Sequence, residues 1–484
     1  MDEGLVDLLR EALLAAGYEY DAVVALLGGE AHAALSRNET TPGLRATSGG
    51  SALETLVRLW LLQAPVTAEA AERALPGLVA PLCAEGILRR SVGEVAASVD
   101  LRPYATDTGN LWIASDLTPG MDGGSGRVGT DHVLGISSAS TSLAQLTVRE
   151  PIGRALDLCT GCGVQALHLA DHVGQVVATD VNRRALWLAG VNAALNGVTV
   201  ELREGNFFEP VAGEQFDLIV SNPPFVISPA TEERLVYRDS GLPGDRVVEH
   251  VVRTAPQRLV DGGTCQVLAN WMILRDRPWE ERLAGWLHDC DAWIVQREVA
   301  DLPSYVELWL KDAGLHGASD YRERYDTWLS WFEEQGAEAV GFGWINLRRT
   351  AEPPAIRLEE WPWQVAQPLG DEVAAHFART EQLRRLDDRA LLAVRLLVRD
   401  DVVQETHGQP GAEDPAEIVL RQQVGMRRGR QVDSATAALV GACDGELALG
   451  SLLAAVEQLV GQAVPLATVR ELVADGYLTL PPNG

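Results

Sequence analysis

Between Ala155 and Arg349 short apolar runs alternate with stretches of helical spacing, and this alternation constrains the fold more tightly than any other feature of the chain. Apolar runs separated by helix-length segments cannot pair through tight turns, so they form parallel strands joined by crossover helices. The predicted strands cover residues 155–158, 176–180, 198–203, 216–221, 264–270, 292–299 and 340–347. The expected fold class is α/β, with a doubly wound, seven-stranded sheet over residues 128–350. Such sheets bind ligands in the crevice beyond the carboxyl ends of their strands, so the turns after the strands are where chemistry is sought.

With 484 residues the chain exceeds what one hydrophobic core usually holds, and its pattern changes on both sides of that region. Apolar positions recur at three and four through residues 5–90, as in Leu53, Leu56, Val57, Trp60 and Leu61. The period then shortens to two around 86–91 and 95–101, which reads as a hairpin following a helix. A helical, winged-helix-like N-terminal domain over 1–115 is expected, serving either as a reader of nucleic acid or a partner or, the reading the acidity favours, as a cap or dimerisation module. Residues 116–130 hold Pro119 and five glycines and read as a linker. Beyond Pro354, 391–401 and 418–426 read as strands and 434–478 as three helices with a turn at Asp444-Gly445. This predicts a small α/β, winged-helix-like C-terminal domain over 359–484. Its Arg427-Arg428-Gly429-Arg430 run reads as a solvated turn before it reads as a phosphate site.

The formal net charge of −28 argues against broad binding to nucleic acid or anionic membrane, because affinity for phosphate is carried by Lys and Arg. Six cysteines are spread along the chain, the start Met1-Asp2-Glu3 is acidic, and no apolar run reaches the ~20 residues of a membrane span. A cytoplasmic protein without a disulfide framework is expected. Ten of the thirteen tryptophans fall between Trp271 and Trp363, and rings packing helices against the last strands explain them better than a ligand platform does.

The first strand runs into Asp157-Leu158-Cys159-Thr160-Gly161-Cys162-Gly163, where glycines let a ligand approach the backbone at the mouth of a helix. Asp180 ends the next strand, about 23 residues on, the spacing at which an acidic side chain holds two ribose hydroxyls. Cys159 and Cys162 have the spacing of a redox or metal pair, but no second cysteine or histidine cluster accompanies them, so no metal site is expected. The decisive segment is Phe216-Asp217-Leu218-Ile219-Val220-Ser221-Asn222-Pro223-Pro224-Phe225. Two prolines fix the backbone after the strand and remove two donors. The Asn222 side-chain oxygen and the Pro223 carbonyl can then accept both hydrogens of a planar NH2 group, while Phe225 offers a face to it. Accepting those hydrogens frees the nitrogen lone pair, so transfer of a group to that nitrogen needs alignment more than a strong base.

These stretches, with Glu204-Gly205-Asn206-Phe207-Phe208-Glu209-Pro210 and Ala255-Pro256-Gln257-Arg258-Leu259-Val260-Asp261-Gly262-Gly263, resemble class I S-adenosylmethionine-dependent methyltransferases of the Asn-Pro-Pro-(Tyr/Phe) type. They are most similar to the HemK-like protein-glutamine methyltransferases, which have a Rossmann-like sheet. The resemblance covers residues 130–350 and reaches neither flank. It implies that Asp157 and the glycine turn, with Cys159, Thr160, Gly161 and Gly163, hold the methionine part of S-adenosylmethionine. Asp180, followed by Val181, would take the ribose, Asn206 and Phe207 would sit at the adenine, and Asn222 would orient the acceptor amide. Asn206 stands where the family usually has Asp, and Phe225 where HemK-like enzymes have Tyr; Phe is common in the guanine amino-group methyltransferases of ribosomal RNA.

Two further segments carry open readings. The hydroxyls of Ser137, Ser138, Ser140 and Thr141 serve either the carboxylate end of the cofactor or a helix cap. The stretch 229–246, with Glu232, Glu233, Arg234, Tyr237, Arg238, Asp239 and Asp245, is either a substrate-facing lid or a salt-bridged surface loop. The expected function is methyl transfer to a planar NH2 nitrogen, first of all a protein glutamine. A guanine of ribosomal RNA, a small molecule, or a non-enzymatic S-adenosylmethionine-binding scaffold or sensor stay as alternatives. DNA is disfavoured by the charge, and a homodimer through the flanking domains is left open.

Overall fold

The computed structural model describes residues 3–123, 129–229, 242–410 and 416–481. The chain divides into two compact units, one of residues 1–144 and 150–361 and the other of 145–149 and 362–484. The expected boundary between an N-terminal domain and the central sheet is therefore not a boundary between compact units.

The central sheet has eight strands: β1 (Ile152–Leu158), β2 (Val173–Asp180), β3 (Val200–Glu204), β4 (Phe216–Ser221), β5 (Leu259–Leu274), β6 (Cys290–Asp301), β7 (Ala337–Arg349) and β8 (Ile356–Glu360). Their order is β8-β6-β7-β5-β4-β1-β2-β3. Strands β1 to β5 pair in parallel, β7 runs antiparallel between β5 and β6, and β8 pairs in parallel with β6. The seven predicted strands are all present. The eighth was missed because Ile356-Arg357-Leu358-Glu359-Glu360 is an edge strand, charged and only partly buried, with too little apolar alternation to register. The helices used below are α1 (Val164–Leu169), α2 (Arg183–Leu195), α3 (Arg246–Arg258), α4 (Trp279–Ala284), α5 (Leu302–Asp312) and α6 (Tyr321–Glu334). Between the late strands and their helices, Trp271 is fully buried and stacks on Trp279 at 5.5 Å, and Trp328 is fully buried as well.

The N-terminal segment is joined to this sheet by shared core. Its helices Glu3–Ala15 and Tyr20–Leu35 and its hairpin Asp100–Thr106/Gly109–Ser115 pack with α2 into one apolar cluster that includes Leu13, Trp60, Trp112, Leu188 and Leu195. Two asparagines one helical turn apart on α2 extend the hairpin's hydrogen bonding. Asn192 accepts from Ala114 N at 2.7 Å and donates to its carbonyl at 2.8 Å, and Asn196 does the same with Trp112 at 2.8 and 2.8 Å. Between these helices and the hairpin lies a three-stranded sheet, Val66–Thr67 pairing with Glu94–Ala97 and that with Leu88–Ser91. The linker prediction lies partly outside the described residues, at 124–128; its beginning is tied down by Asp122, which accepts from Thr40 N at 2.7 Å.

In the other unit, helix Gly370–Arg385 precedes a three-stranded antiparallel sheet, Val402–His407, Glu417–Gln422 and Gly429–Val432, followed by helices Ser434–Gly441, Leu449–Val460 and Leu466–Ala474. The three predicted helices are present. The strand expected at 391–401 is not: Asp387 caps a helix there, Asp388–Ala393, by accepting from Ala390 N at 2.7 Å, and only Leu397–Val398 pairs as strand. Of the arginine run, Arg428 is buried and Arg430 pairs with Glu471 and Asp475 inside the unit, while Arg427 is exposed. Among the described residues no single helix is long and apolar enough to cross a membrane.

Candidate active site

The turn after β1 is built on left-handed backbone. Cys159, Gly161 and Gly163 have φ of 63°, 57° and 88°, and a Cβ on Gly163 would meet that of Ala189 at 3.2 Å, so glycine is required there by packing as well as by conformation. Asp157 clamps the turn from beneath. Its Oδ2 accepts from the Thr160 hydroxyl at 2.6 Å and from Ala166 N at 3.0 Å. Burial pushes the Asp157 carboxyl up to about 7, against those two hydrogen bonds. Burial also raises the Cys159 thiol well above its ordinary value and that of Cys162 to about 12, which keeps both neutral and poor as nucleophiles or metal ligands.

Asp180, half-buried at the end of β2, reaches back to the same turn. Its Oδ2 accepts from Gly161 N at 2.9 Å and its Oδ1 from Asn182 N at 2.8 Å. Burial lifts its pKa, while the backbone N–H groups of Asn182, Gly161 and Val181 oppose the shift. A carboxylate has about four acceptor positions, so two bonds leave capacity for two hydroxyls. Val181 is 65% exposed beside it. After β3, Asn206 is exposed and its carbonyl accepts from Glu209 N at 3.0 Å; Phe207 has φ of 43° and its ring lies 5.2 Å from that of His250.

Asn222 follows β4, whose end is tied to β1 by the Ser221 hydroxyl donating to the Leu158 carbonyl at 2.8 Å. The Asn222 Oδ1 is buried and has no hydrogen-bond partner among the described residues. A buried acceptor left in that state costs about 1–3 kcal/mol, which an incoming donor would recover. Pro223 and Pro224 follow, Phe225 meets Trp309 of α5 edge-on at 6.3 Å, and Ile227 N donates to the Tyr305 hydroxyl at 2.8 Å. This segment is thus clamped from behind by α5.

One cleft of about 1660 Å³ collects Asp157, Cys159, Thr160, Gly161, Asp180, Val181, Asn206, Phe207 and Asn222 through Phe225. Gly163 alone of the expected site residues does not line it and stands behind the turn. Sequence reasoning missed two walls of this cleft. One is the segment of Asp131, His132 and Val133, held by Asp116, which accepts from Val133 N at 2.9 Å and pairs with Arg184 and with His132. Burial lowers the His132 pKa in the face of Asp116. The other wall is Ala313, Leu315, Asp320 and Arg324, from the insertion between β6 and β7. Neither wall has a local motif, because each is placed by partners far away in sequence.

The two open segments resolve differently. Ser137 and Ser140 spend their hydroxyls on the cap of the following helix, Ser137 N donating to Ser140 Oγ at 2.8 Å and Ser140 N to Ser137 Oγ at 3.2 Å. Glu232, Glu233, Arg234, Tyr237, Arg238 and Asp239 lie outside the described residues. Asp245 does not face substrate: it is buried, accepts from Met272 N at 2.9 Å and forms an ion pair with Arg282 of α4.

The methyltransferase small domain model matches residues 135–292, spanning β1 to β6 and every turn just described. The central segment is similar to the methyltransferase small domain. Models for domains of unknown function match on either side of it, DUF7059 at residues 15–98 and DUF7782 at 374–480. This central segment is similar to the ribosomal protein uL3 glutamine methyltransferase of Bradyrhizobium diazoefficiens, 32% identical over 167 residues, which are 31% of this chain and 52% of that one. It is similar also to the release factor glutamine methyltransferase of Xylella fastidiosa, 36% identical over 144 residues, 27% of this chain and 49% of that one. The chain thus spans about half the length of these curated relatives. Among solved structures it is similar to the T. thermophilus 16S rRNA N2 G1207 methyltransferase, 17% identical, with 52% of this chain and 68% of that one covered at a TM-score of 0.28.

Proposed function

We propose that the protein is an S-adenosylmethionine-dependent N-methyltransferase whose acceptor is the side-chain amide of a protein glutamine. The observation that carries this reading is the buried, unpartnered Oδ1 of Asn222 beside two prolines at the floor of the cleft. An acceptor without a donor, next to carbonyls whose neighbours lack N–H groups, is the complement of a planar NH2. The glutamine methyltransferases to which the segment is similar support the choice of acceptor, and so does the acidic balance of the chain.

The residues of the cleft fit the cofactor. Asp157 would receive its ammonium, Asp180 its ribose hydroxyls through the lone pairs left over from Gly161 and Asn182, and Val181 and Phe207 would flank the adenine, with Asn206 accepting from its amino group. When bound, the cofactor supplies an electrophilic methyl on a sulfonium. Asn222 Oδ1 and the Pro223 carbonyl would hold the two amide hydrogens and turn the nitrogen lone pair toward that methyl, while Phe225 keeps the amide plane in register. Transfer to that nitrogen would leave it one proton to lose to solvent, and no side chain of the segment is needed to take it. The three-stranded sheet and helices at 66–97 support a winged-helix reading for that stretch, and a cytoplasmic setting accords with the reading as a whole.

The test is to incubate the purified chain with radiolabelled S-adenosylmethionine and a lysate of its source, then digest separate samples with protease and ribonuclease. Label lost only to protease, recovered as methylglutamine after hydrolysis, is the expected result. Label lost only to ribonuclease would move the acceptor to a guanine amino group.

A further inference from the structure

The connection between β6 and β7 is not a short turn but two helices, α5 and α6, and these pack on the turn that carries Asn222. Tyr305 and Trp309 of α5 hold the Phe225–Ile227 backbone and ring, and Asn270 of β5 donates to the same Tyr305 hydroxyl at 3.5 Å. From the end of α5 the chain supplies Ala313 and Leu315 to the cleft, then Asp320 and Arg324 from the start of α6. Arg324 Nε donates to Asp320 Oδ2 at 2.6 Å, and the two side chains remain 23% and 33% exposed. Asp312, at the end of α5, acts electrostatically on His132, and the residues that follow it line the same cleft as Asn222 and Phe225.

The chemistry of this wall is specific. A small residue, Ala313, and an aliphatic one, Leu315, stand with Phe225, apolar surface of the kind that receives methylene groups. Beside them a guanidinium and a carboxylate sit together, offering donors and acceptors side by side, which matches the carbonyl and N–H of a peptide group. Asp320 in this wall, with Asp312 just before it, disfavours a polyphosphate backbone. We propose that the α5–α6 insertion selects the acceptor: Arg324 and Asp320 take the main chain flanking the glutamine, and Ala313, Leu315 and Phe225 take its aliphatic stem. This rests on the protein-glutamine reading given above and names the residues that enforce it.

The experiment measures protease-sensitive label against the concentration of acceptor lysate for the full-length wild type and for Arg324→Ala, with cofactor affinity followed by calorimetry. In Arg324→Ala the half-saturating acceptor concentration is expected to rise about tenfold or more, with maximal rate and cofactor affinity within about twofold of wild type. Unchanged half-saturation, or a loss confined to maximal rate, overturns the proposal, since a merely structural ion pair would behave in that way. If Arg324→Ala fails to fold, Leu315→Trp fills the same wall without touching the ion pair; the same rise is expected, and its absence is equally fatal. Wild type that labels only RNA, or labels nothing, overturns the protein-glutamine reading itself and this inference with it, and that outcome is visible before any variant is made.

Discussion

The two ends of the cleft are built on opposite principles. At the end built on β1 and β2, where the cofactor is proposed to bind, both carboxylates already have partners: Asp157 is bonded by Thr160 and Ala166, and Asp180 by Gly161 and Asn182. The turn is shaped by its own carboxylates before any ligand arrives. At the acceptor end the decisive atom, Asn222 Oδ1, has no partner among the described residues, and the rigidity comes from behind, through two prolines and α5. Preorganisation at one end is by hydrogen bonding and at the other by packing, so the two ends should fail in separable ways.

The largest expected effect separates them outright. Asn222→Ala should lower the rate of methyl transfer by about a hundredfold to a thousandfold, the scale of losing one directed polar group in a reactive site, with cofactor affinity by calorimetry nearly unchanged. Loss of both together would mean that the ends are one unit. The converse variant, Asp180→Ala, should weaken cofactor binding by about tenfold to a hundredfold, as expected for removing a charged acceptor of two hydroxyls, and should leave the half-saturating acceptor concentration alone. Cofactor affinity unaffected by this change would remove Asp180 from the site.

A pH series sharpens the contrast further, because among the described residues the carboxyl raised to about 7 is that of Asp157, at the β1 turn. The charged form is the one that attracts an ammonium, so cofactor affinity should fall as the pH drops below about 7, by up to about tenfold per pH unit. Folding has the opposite sign. A carboxyl raised by burial favours the neutral form in the native state, so its contribution to stability is fully present below its unfolded value and is lost as the pH rises through about 7. The apo protein should therefore melt at a lower temperature at pH 8 than at pH 5 if Asp157 dominates, by a free energy of about 3 kcal/mol at most. Asp157→Asn should flatten both profiles. Equal slopes in the wild type and in Asp157→Asn would show that another group controls them.

The smallest effect is expected outside the cleft. Asn196→Ala leaves the backbone of Trp112 without its side-chain partners, and it should cost about 1–3 kcal/mol in thermal or urea unfolding while both cofactor and acceptor constants stay put. A change in cofactor affinity would show that the N-terminal hairpin acts on the site through α2.

Legibility in the sequence followed the range of the interactions. The turn at Asp157–Gly163 and the Asn222–Phe225 segment are each set by residues a few positions apart, and Asp180 by its place at a strand end, so spacing and residue type sufficed to mark these stretches, which the fold brings to one cleft. Asp245 was misread for the reverse reason. Its loop position suggests a surface lid, but its ion-pair partner Arg282 lies 37 positions away, and only folding buries the two together. Residues 391–393 read as a strand by their apolar run, yet the cap at Asp387 decided for helix.

The sequence alone determined the α/β class, the positions of seven strands and the turn residues at the ends of β1, β2 and β4, because period and turn chemistry are local properties, whereas the antiparallel entry of β7 between β5 and β6 departs from the parallel sheet expected. The tertiary structure alone decided the rest. It merged the N-terminal segment with the central sheet through Asn192 and Asn196, drew Asp131 to Val133 over one side of the cleft through Asp116, and brought Ala313 to Arg324 against the other side. Each of these depends on contacts between residues far apart in the chain, and no periodicity or motif encodes which distant apolar face or polar pair will close upon which.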